Sequence, residues 1–285
     1  MKALGWRLEW LAYTALSGVF RLLGFEHAGA LGGWLLRRIG PRTGKQRIVL
    51  RNLQLAFPDA DGDALSRDAW ENMGRTFSEF PVMHRLGHIE VENAHIFADQ
   101  AKRGPAIVVT GHFANWEVMA AALARSPLDV AITYRRLNNP VLDRTVVRQR
   151  SRYGTRTLVP KSGPAGARHL LTELKEGRSV ALLNDQKFNT GLAIPFFGHD
   201  AMTATGPTRL AMQTGAPILM LSCTREPSGY RVKLWEPWHP DSVESGVQRI
   251  VDWTEARIRE TPAQWFWAHR RWPKPLYTKS PHPRP

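Results

Sequence analysis

The chain contains almost no cysteine, and this scarcity excludes several classes of protein. Its 285 residues include a single cysteine, Cys223, so neither an internal disulfide nor a cysteine-based zinc cluster can form. The sequence also lacks the H-E-x-x-H, Walker A and G-x-G-x-x-G patterns of zinc proteases, P-loop proteins and dinucleotide-binding folds. We therefore expect no metal ion and no cofactor. Cys223 follows the apolar run 217–222, which predicts a buried strand residue and not a nucleophile.

A long uncharged apolar segment is also missing. Near the N-terminus, the charge-free stretch covers residues 10–20, between Glu9 and Arg21, and is well short of the ~20 residues that a spanning helix requires. It has no cleavage-site pattern, so we do not expect a cleaved signal peptide. The apolar and aromatic residues between 6 and 25 favour a helix that lies in the membrane interface. A short or tilted insertion and an ordinary packing helix are the alternatives.

Acidic residues are too few to balance the basic ones. Lys and Arg number 39 against 25 Asp and Glu, which gives a net charge of +14 and a pI near 10.6. Such a chain suits anionic partners, and nucleic acid, anionic lipid and an acidic carrier protein all qualify. A basic cluster next to the apolar N-terminal stretch favours lipid headgroups. Its members are Arg37, Arg38, Arg42, Lys45, Arg47 and Arg51.

The central part of the chain alternates between strand and helix patterns. Short apolar, β-branched runs bounded by turn residues predict strands, and segments of helical periodicity separate them. The predicted strands are 106–110, 129–133, 155–159, 179–183, 217–224 and 230–235. Strands joined through helices pair in parallel by right-handed crossovers, whereas the Pro-Ser-Gly turn at 227–229 pairs the last two strands antiparallel. We predict an α/β fold with a mixed, mostly parallel central sheet flanked by helices.

Three regions follow one another along the chain. We predict an N-terminal helical, membrane-associating segment at 1–57 and an α/β domain at 58–273. Residues 274–285 are rich in proline and should form an irregular tail.

The predicted strand 106–110 runs directly into Gly-His-Phe-Ala-Asn-Trp-Glu at 111–117. His112 therefore lies on a strand-to-helix turn, Asn115 is the helix N-cap and Glu117 falls in the first helical turn. In α/β sheets this edge is where ligands bind. We expect an ionised Glu117 to orient the imidazole of His112 while that ring takes a proton from a hydroxyl. Free N–H groups at the helix start are candidate donors to an oxyanion.

A histidine and an acidic residue at this spacing are a weak signal alone. With 10 His and 25 acidic residues in 285 positions, chance gives about one such pair. His239 and Glu244 repeat the spacing, but no strand runs into a Gly-His turn there. We interpret His239 as a surface or capping residue. A buried, hydrogen-bonded turn histidine is the alternative for His112.

Further pieces along the chain make the pattern more specific. Together they resemble the bacterial lipid A biosynthesis acyltransferases, the lauroyl/myristoyl transferase family, over roughly residues 5–273. In chain order the pieces are Arg51-Asn52-Leu53 with Phe57-Pro58, the 111–117 motif, Tyr134-Arg135-Arg136, Asp185-Gln186, Pro195-Phe196-Phe197-Gly198 with Ala201-Met202-Thr203 and Gly206, and 262–272.

The resemblance implies an enzyme of lipopolysaccharide biosynthesis that transfers a fatty acyl chain from acyl carrier protein to a hydroxyl of a lipid A precursor. The implied place is the cytoplasmic face of the inner membrane, with the protein either monotopic or holding one short membrane helix. The implied partners are acyl carrier protein, an anionic lipid acceptor and the membrane surface, with no nucleic acid. Many members carry an acidic residue soon after the aspartate that matches Asp185, where this chain has Gln186-Lys187. The acceptor and the chain length therefore stay open.

Other candidate binding residues accompany His112, including Asn115. Arg135 and Arg136 follow a predicted strand, where they suit a headgroup phosphate, a carboxylate or the thioester carbonyl; a structural ion pair is the alternative. Asp185 follows another strand end and is a candidate to hold an arginine or the acceptor sugar, or else a loop cap. The aromatic pair Phe196 and Phe197 is a candidate wall of an acyl tunnel, with core packing as the alternative.

The C-terminal part of the predicted domain is dense in aromatic and basic residues. Trp265, Trp267, Arg270, Arg271 and Trp272 predict a membrane-interface or anion-binding patch. His269 among them is predicted to be a structural, hydrogen-bonded residue.

Three other functions fit parts of the sequence. The acceptor of an acyltransferase could equally be a glycerophospholipid or another lipid, because the His-Glu motif does not specify it. A nucleic-acid-binding protein fits the charge, but no helix-turn-helix, zinc or RNA-binding signature is found. A non-catalytic membrane scaffold fits the N-terminal segment, and would tolerate loss of His112.

Overall fold

A computed structural model describes residues 2–155, 157–161 and 163–278. The chain starts with three helices, α1 (Lys2–Ile39), α2 (Gln46–Ala56) and α3 (Gly62–Glu79). The remaining elements are β1 (Ile89–Glu92), α4 (His95–Arg103), β2 (Ile107–Thr110), α5 (Trp116–Arg125), β3 (Val130–Tyr134), α6 (Pro140–Arg152), β4 (Thr157–Pro160), α7 (Pro164–Lys175), β5 (Ser179–Leu183), β6 (Lys187–Phe196), β7 (His199–Thr203), α8 (Gly206–Thr214), β8 (Ile218–Glu226), β9 (Gly229–Leu234), α9 (Val243–Glu260) and α10 (Pro275–Thr278).

Seven strands form the central sheet in the order β1-β9-β8-β2-β5-β3-β4. All neighbours pair in parallel except β8 and β9, which are antiparallel across the turn after Glu226. The predicted mixed, mostly parallel sheet flanked by helices is confirmed. β6 and β7 form a separate antiparallel pair. β1 and β7 were not predicted, because both are short and half exposed and give no clear apolar alternation.

The sheet separates two hydrophobic cores. Every residue of β2 is buried, and its side chains alternate between the two faces. Ile107 and Val109 join the larger core, which the C-terminal tryptophans and helices α2, α3, α7, α8 and α9 complete. Val108 joins the second core with α4 and α5. A strand buried on both faces places the turn that follows it at the centre of one sheet edge.

The first half of α1 contacts α6 through hydrogen bonds and leaves large apolar residues exposed. The Trp10 indole donates to Thr145 Oγ1 at 3.0 Å, and the Tyr13 hydroxyl donates to Gln149. The outward side of α1 carries large exposed apolar residues, namely Leu4, Leu8, Leu11, Leu16, Val19 and Leu22. A helix on a water-exposed protein normally has the opposite arrangement. Across the described residues, we find no helix whose length and apolar character suffice to cross a bilayer.

Several predicted boundaries shift in the structure. The helix expected at 63–86 ends at Glu79, because Pro81 cannot continue its hydrogen bonding and a 3-10 turn follows. α1 is interrupted at Gly24, where φ of 77° suits glycine alone. The tail expected to be irregular begins with the short helix α10, and residues 279–285 lie outside the described part of the chain.

The predicted C-terminal surface patch is wrong for most of its members. Trp265, Trp267, Trp272 and Arg271 are each at most 1 % exposed, whereas Arg270 is exposed. The tryptophans fill the larger core between α2, α9 and the β6-β7 pair, so their number reflects packing and not contact with a membrane.

The division of the chain at 57 stays a prediction. Asn52 of α2 donates hydrogen bonds to the backbone carbonyls of Trp267 and His269, both at 2.7 Å. α2 therefore packs against the last part of the predicted α/β domain.

Candidate active site

His112 and Asp185 follow the ends of the neighbouring strands β2 and β5 and are hydrogen-bonded to each other. The His112 ring nitrogen Nδ1 lies 2.8 Å from Asp185 Oδ1, and the His112 backbone N–H donates to Oδ2 at 2.7 Å. The Trp265 indole donates to the same Oδ2 at 2.7 Å. The Asp185 side chain is 0 % exposed and that of His112 14 %. The histidine is thus anchored from behind and reaches the surface with one part of its ring.

The charge state of Asp185 defines the tautomer of His112. Burial alone would raise the pKa of Asp185, but the electrostatic interaction with the His112 ring and the hydrogen bonds that His112 donates outweigh burial and hold that pKa well below its usual range. An ionised Asp185 only accepts hydrogen bonds, so Nδ1 of His112 carries a proton. The other ring nitrogen, Nε2, is then the free proton acceptor.

Glu117 does not orient His112, and this corrects the expectation drawn from the motif. Its carboxylate binds the Arg150 guanidinium in a bidentate pair, with distances of 3.1 and 2.5 Å, and accepts from the Tyr153 hydroxyl. α5 turns the Glu117 side chain toward α6, away from the β5 end, because the first helical turn carries it round the axis. Glu117 is 5 % exposed and links α5 to α6.

The turn after His112 has an unusual backbone that several elements hold. Ala114 has φ of 43°, a left-handed value that is rare outside glycine. Its N–H donates to the Gln264 carbonyl at 2.6 Å, and its carbonyl accepts from Thr76 at 2.9 Å. The His112 carbonyl accepts from the Phe266 N–H at 3.2 Å. Conformations of this kind persist where the surroundings fix them, often at functional sites.

The backbone donors of this turn are largely engaged. The N–H groups of His112, Phe113, Ala114 and Glu117 all donate within the protein. The expected oxyanion site made of free helix-start N–H groups is therefore not supported. The nearest side-chain donor to the free face of His112 is the amide of Gln186, whose Nε2 lies 3.5 Å from His112 Nε2.

Asn115 is placed as a structural residue, not as a contact for substrate. It is fully buried, and its Oδ1 caps α5 by accepting from the Glu117 N–H at 3.1 Å, as predicted for an N-cap. Its Nδ2 donates to Glu79 at 2.8 Å. With both ends of the amide engaged, Asn115 cannot reach a substrate.

Glu79 is the centre of a buried network behind the turn. At 2 % exposure, it accepts from Asn115, from the Tyr230 hydroxyl and from both terminal nitrogens of Arg225, at 2.5 and 3.2 Å. A buried carboxylate is stable only when charge and hydrogen bonds compensate its lost hydration. α3, β8 and β9 thereby meet at Asn115, the N-cap of α5.

An aromatic surface adjoins the free face of His112. Trp116 and Phe266 lie 5.1 and 5.9 Å from the His112 ring, centroid to centroid, and both are half-buried. Phe77 continues the surface at 6.2 Å from Trp116 and is 50 % exposed. A half-exposed aromatic row that starts at the histidine suits an apolar chain.

The remaining predicted site residues divide into exposed and buried pairs. Arg135 and Arg136 are exposed just after β3, two strand spacings from β2 and so about 10 Å away along the same edge. Phe196 and Phe197 are buried, at 1 % and 6 % exposure, among Phe57, Trp265 and Trp272. Their role as a wall of an acyl tunnel stays a prediction.

Several residues that shape the site were missed by sequence reasoning. Trp265 reaches Asp185 from about 80 positions away, and Arg150 reaches Glu117 from α6. Neither has a local signal, because such partners are defined by the tertiary fold. For Asp185, the position just after a strand end did carry a usable signal, since carboxyl ends of neighbouring parallel strands meet at one edge.

A family model described as bacterial lipid A biosynthesis acyltransferase matches residues 3–274. The chain belongs to this family. The match spans nearly the whole sequence, and the residues of the His112–Asp185 pair and of the aromatic surface all lie inside it. The protein is therefore an acyltransferase of the lipid-modifying type, and the resemblance found in the motifs is confirmed.

Among curated proteins, the chain is similar to phosphatidylinositol mannoside acyltransferases. It is 28 % identical to that of Mycolicibacterium smegmatis over 287 residues, which covers 95 % of this chain and 90 % of the relative. It is 24 % identical to that of Mycobacterium tuberculosis over 228 residues, covering 75 % and 72 %. The names of these relatives specify a lipid acceptor, which agrees with the lipid acyltransferase family of this chain.

Proposed function

We propose that the protein transfers a fatty acyl chain from a thioester to a hydroxyl of a lipid acceptor, with His112 as general base and Asp185 as its orienting partner. The observation that carries this proposal is the hydrogen-bonded His112–Asp185 pair at the carboxyl edge of the sheet, which leaves Nε2 as the proton acceptor beside the Gln186 amide. Glu117, expected from the motif to orient His112, instead supports α5 through Arg150.

The reaction proceeds in two steps without a covalent enzyme intermediate. His112 Nε2 takes the proton of the acceptor hydroxyl while its oxygen attacks the thioester carbonyl carbon. Ionised Asp185 stabilises the imidazolium that forms. The tetrahedral intermediate then expels the thiolate, which takes the proton from the imidazolium, so that an ester and a free thiol leave. Positioned general base catalysis contributes typically about 10²–10⁴-fold.

The oxyanion of that intermediate needs a donor outside the engaged turn. The Gln186 amide is the side chain beside His112 Nε2, and Gln is a common oxyanion donor. Many members of the family carry an acidic residue soon after the matching aspartate, where this chain has Gln186-Lys187. The acyl chain is proposed to lie along Trp116, Phe266 and Phe77, because an apolar chain gains about 0.8 kcal/mol for each buried CH₂.

The leading donor is an acyl carrier protein thioester and the leading acceptor a lipid A precursor. The description of the matching family supports the acceptor, whereas the carrier-protein donor is proposed from the resemblance in the motifs. A mannosylated phosphatidylinositol is the second candidate acceptor, because the curated relatives are named for it. Both acceptors are anionic glycolipids, so exposed Arg135 and Arg136 are proposed to bind their phosphate groups.

The direct test is mass spectrometry of total lipids from cells with and without the gene. Loss of one acyl chain from lipid A supports the first acceptor, and loss from an inositol lipid supports the second. Purified enzyme is then given carrier-protein and coenzyme A thioesters with each acceptor. Lipids unchanged in every class, with no thioester consumption in vitro, would refute acyl transfer.

Membrane association through α1 is part of the proposal. Its exposed leucines suit a helix that lies in the interface of the inner membrane at the cytoplasmic face. Deleting residues 1–25 should move the protein from the membrane fraction toward the soluble one. A truncated protein that sediments with membranes as completely as the full chain would assign the anchoring to another surface.

A further inference from the structure

The outer face of α6 carries a row of three arginines. Arg144, Arg148 and Arg152 follow one another every four residues, so they lie on one side of the helix over about 12 Å. All three are exposed. None of their guanidinium groups has an ion-pair or hydrogen-bond partner among the described residues, although Arg150, between them, is paired with Glu117.

Further basic groups extend the row toward α1. The charges of Arg152, Arg85 and Arg21 all act on His84 and, together with burial, which has the largest effect, lower its pKa. Arg85 also donates to the Arg21 carbonyl at 2.7 Å. Arginines that lie close together without a counter-charge repel one another. Such an arrangement favours an anionic partner.

The row adjoins the contact between α6 and the first half of α1. Arg144 and Arg148 directly precede Thr145 and Gln149, which hydrogen-bond α1. The two acidic groups on this part of the helices are engaged, since Asp143 accepts from the Leu137 N–H and Glu9 from Asn139. A positive row therefore lies beside the helix whose leucines face outward.

We propose that the arginine row of α6, formed by Arg144, Arg148 and Arg152, is a docking surface for the anionic headgroups of a phospholipid membrane. This inference rests on the proposed membrane association and assigns it a second, electrostatic contact. It differs from the basic cluster at 37–51, in which Arg37 is paired with Asp68 and Glu71 and Arg51 donates to the Leu276 carbonyl.

A membrane explains two features that an acidic carrier protein explains only in part. A bilayer offers anionic headgroups at its surface and an apolar layer just below, which matches arginines next to exposed leucines. A folded carrier would cover the arginines and leave leucines such as Leu8 and Leu11 in water. Juxtamembrane basic residues attract anionic lipid additively, so three arginines should act together.

The experiment measures co-sedimentation of the full-length protein with two kinds of vesicle, phosphatidylcholine alone and phosphatidylcholine with phosphatidylglycerol. The test variant is Arg144→Gln/Arg148→Gln/Arg152→Gln. The matched control is Arg103→Gln/Arg168→Gln/Lys175→Gln, which removes the same charge from exposed sites on α4 and α7. Near-ultraviolet circular dichroism confirms that both variants fold.

The test variant should lose roughly 10- to 100-fold in its partition onto anionic vesicles, with neutral vesicles unaffected because α1 is intact. The control should behave as the natural protein, apart from a small uniform loss. The anionic preference of the natural protein should also fall with added salt. Equal losses in both triple variants would overturn the proposal, because net charge alone would then explain the effect.

If the arginine row instead bound acyl carrier protein, the result would differ. In detergent micelles without anionic lipid, the test variant would then have a higher KM for an acyl carrier protein thioester, while its partition onto vesicles would stay unchanged. That outcome would overturn the proposal. Vesicle binding does not depend on turnover, so failure of the acyl-transfer proposal is seen separately, as absence of thioester consumption by the natural protein.

Discussion

Two buried carboxylates lie on either side of the same turn and have different tasks. Asp185 contacts one histidine and one indole and binds His112 through Nδ1, so that Nε2 faces the Gln186 amide at 3.5 Å. Glu117 is saturated by Arg150 and Tyr153, and its pair is closed to substrate. The difference is the reason why we propose the His112–Asp185 pair, and not Glu117, for catalysis. A motif that contains both His112 and Glu117 identifies the region but not the partner.

The largest expected effect is the loss of kcat on substitution of Asp185 or His112. Asp185→Asn should lower kcat by about 10²–10⁴-fold, because the amide no longer fixes the tautomer of His112 or stabilises its imidazolium. His112→Ala should lose as much or more, and the double variant should lose little beyond the single ones. Steady-state rates of folded, purified enzymes measure this. Full activity of a well-folded His112→Ala enzyme would refute the mechanism.

Substitution of Glu117 should change the free energy of unfolding more than it changes kcat. Glu117→Gln leaves the Arg150 guanidinium without its counter-charge and should cost roughly 3–5 kcal/mol in the free energy of unfolding. Adding Arg150→Met removes the unpaired charge and should restore part of that loss. Urea denaturation measures both. A kcat loss as large as that of Asp185→Asn, in protein that is fully folded, would show that Glu117 acts in catalysis after all.

Substitution of Glu79 tests whether this residue positions His112 or only stabilises the fold. Glu79→Gln weakens the network that holds Asn115 and the 112–115 turn, and a displaced histidine should lower kcat on the order of 10²-fold. Glu173→Gln is the control, because Glu173 is also buried and paired, with His169 and Arg178, at a distance from the turn. If both variants reduce stability and neither reduces kcat, Glu79 is only structural.

The free energy of unfolding should also depend on pH through the buried His269. Burial is the main cause that lowers the pKa of His269 to about 4. As pH falls below about 6.5, the unfolded chain therefore binds a proton that the folded chain resists, and stability is lost toward pH 4. The expected loss at pH 5 is on the order of 1–2 kcal/mol.

His269→Gln should remove the part of this dependence that His269 contributes, whereas exposed His239→Gln should leave it unchanged; His84, whose pKa is also lowered, contributes equally in all three proteins. The melting temperatures of the natural protein and both variants at pH 7.5 and 5 test it. Asp185 does not interfere, because a carboxylate with a lowered pKa loses its contribution only below its usual value near pH 4. Parallel pH curves for all three proteins would contradict the assignment to His269.

The smallest effect is expected for the aromatic core beside Asp185. Phe196→Leu removes part of the ring volume and opens a small space, so it should cost about 1 kcal/mol in the free energy of unfolding. If Phe196 is a tunnel wall, rates against carrier-protein thioesters of increasing length should shift toward longer chains, because neighbouring lengths differ by about 1–3 kcal/mol per methylene. An unchanged length profile would assign Phe196 to core packing. Trp116→Leu gives the matched comparison on the exposed aromatic surface.

Much of the fold follows from local pattern, and the site does so only in part. The strands at 179–183 and 106–110 are apolar runs that end at turns, and the structure has them within a residue or two. His112 and Asp185 both carry the signal of a strand end. The pairing of Glu117 with Arg150 carries none, because it depends on how α6 crosses α5. Burial of Trp265 and Trp267 likewise depends on α2 and α9 closing over them.

The contact between α2 and the C-terminal region has a consequence for folding during synthesis of the chain. Asn52 binds the carbonyl of Trp267, which lies 215 positions later in the chain. A ribosome that adds about 5–20 residues per second needs roughly 10–40 s to supply that partner. During this interval the inner face of α2, with Val49 and Leu53, is uncovered, because the tryptophans that pack on it have not yet been synthesised. α1, which we propose to lie in the membrane interface, is synthesised before these tryptophans, so it is available to a bilayer before the core can close.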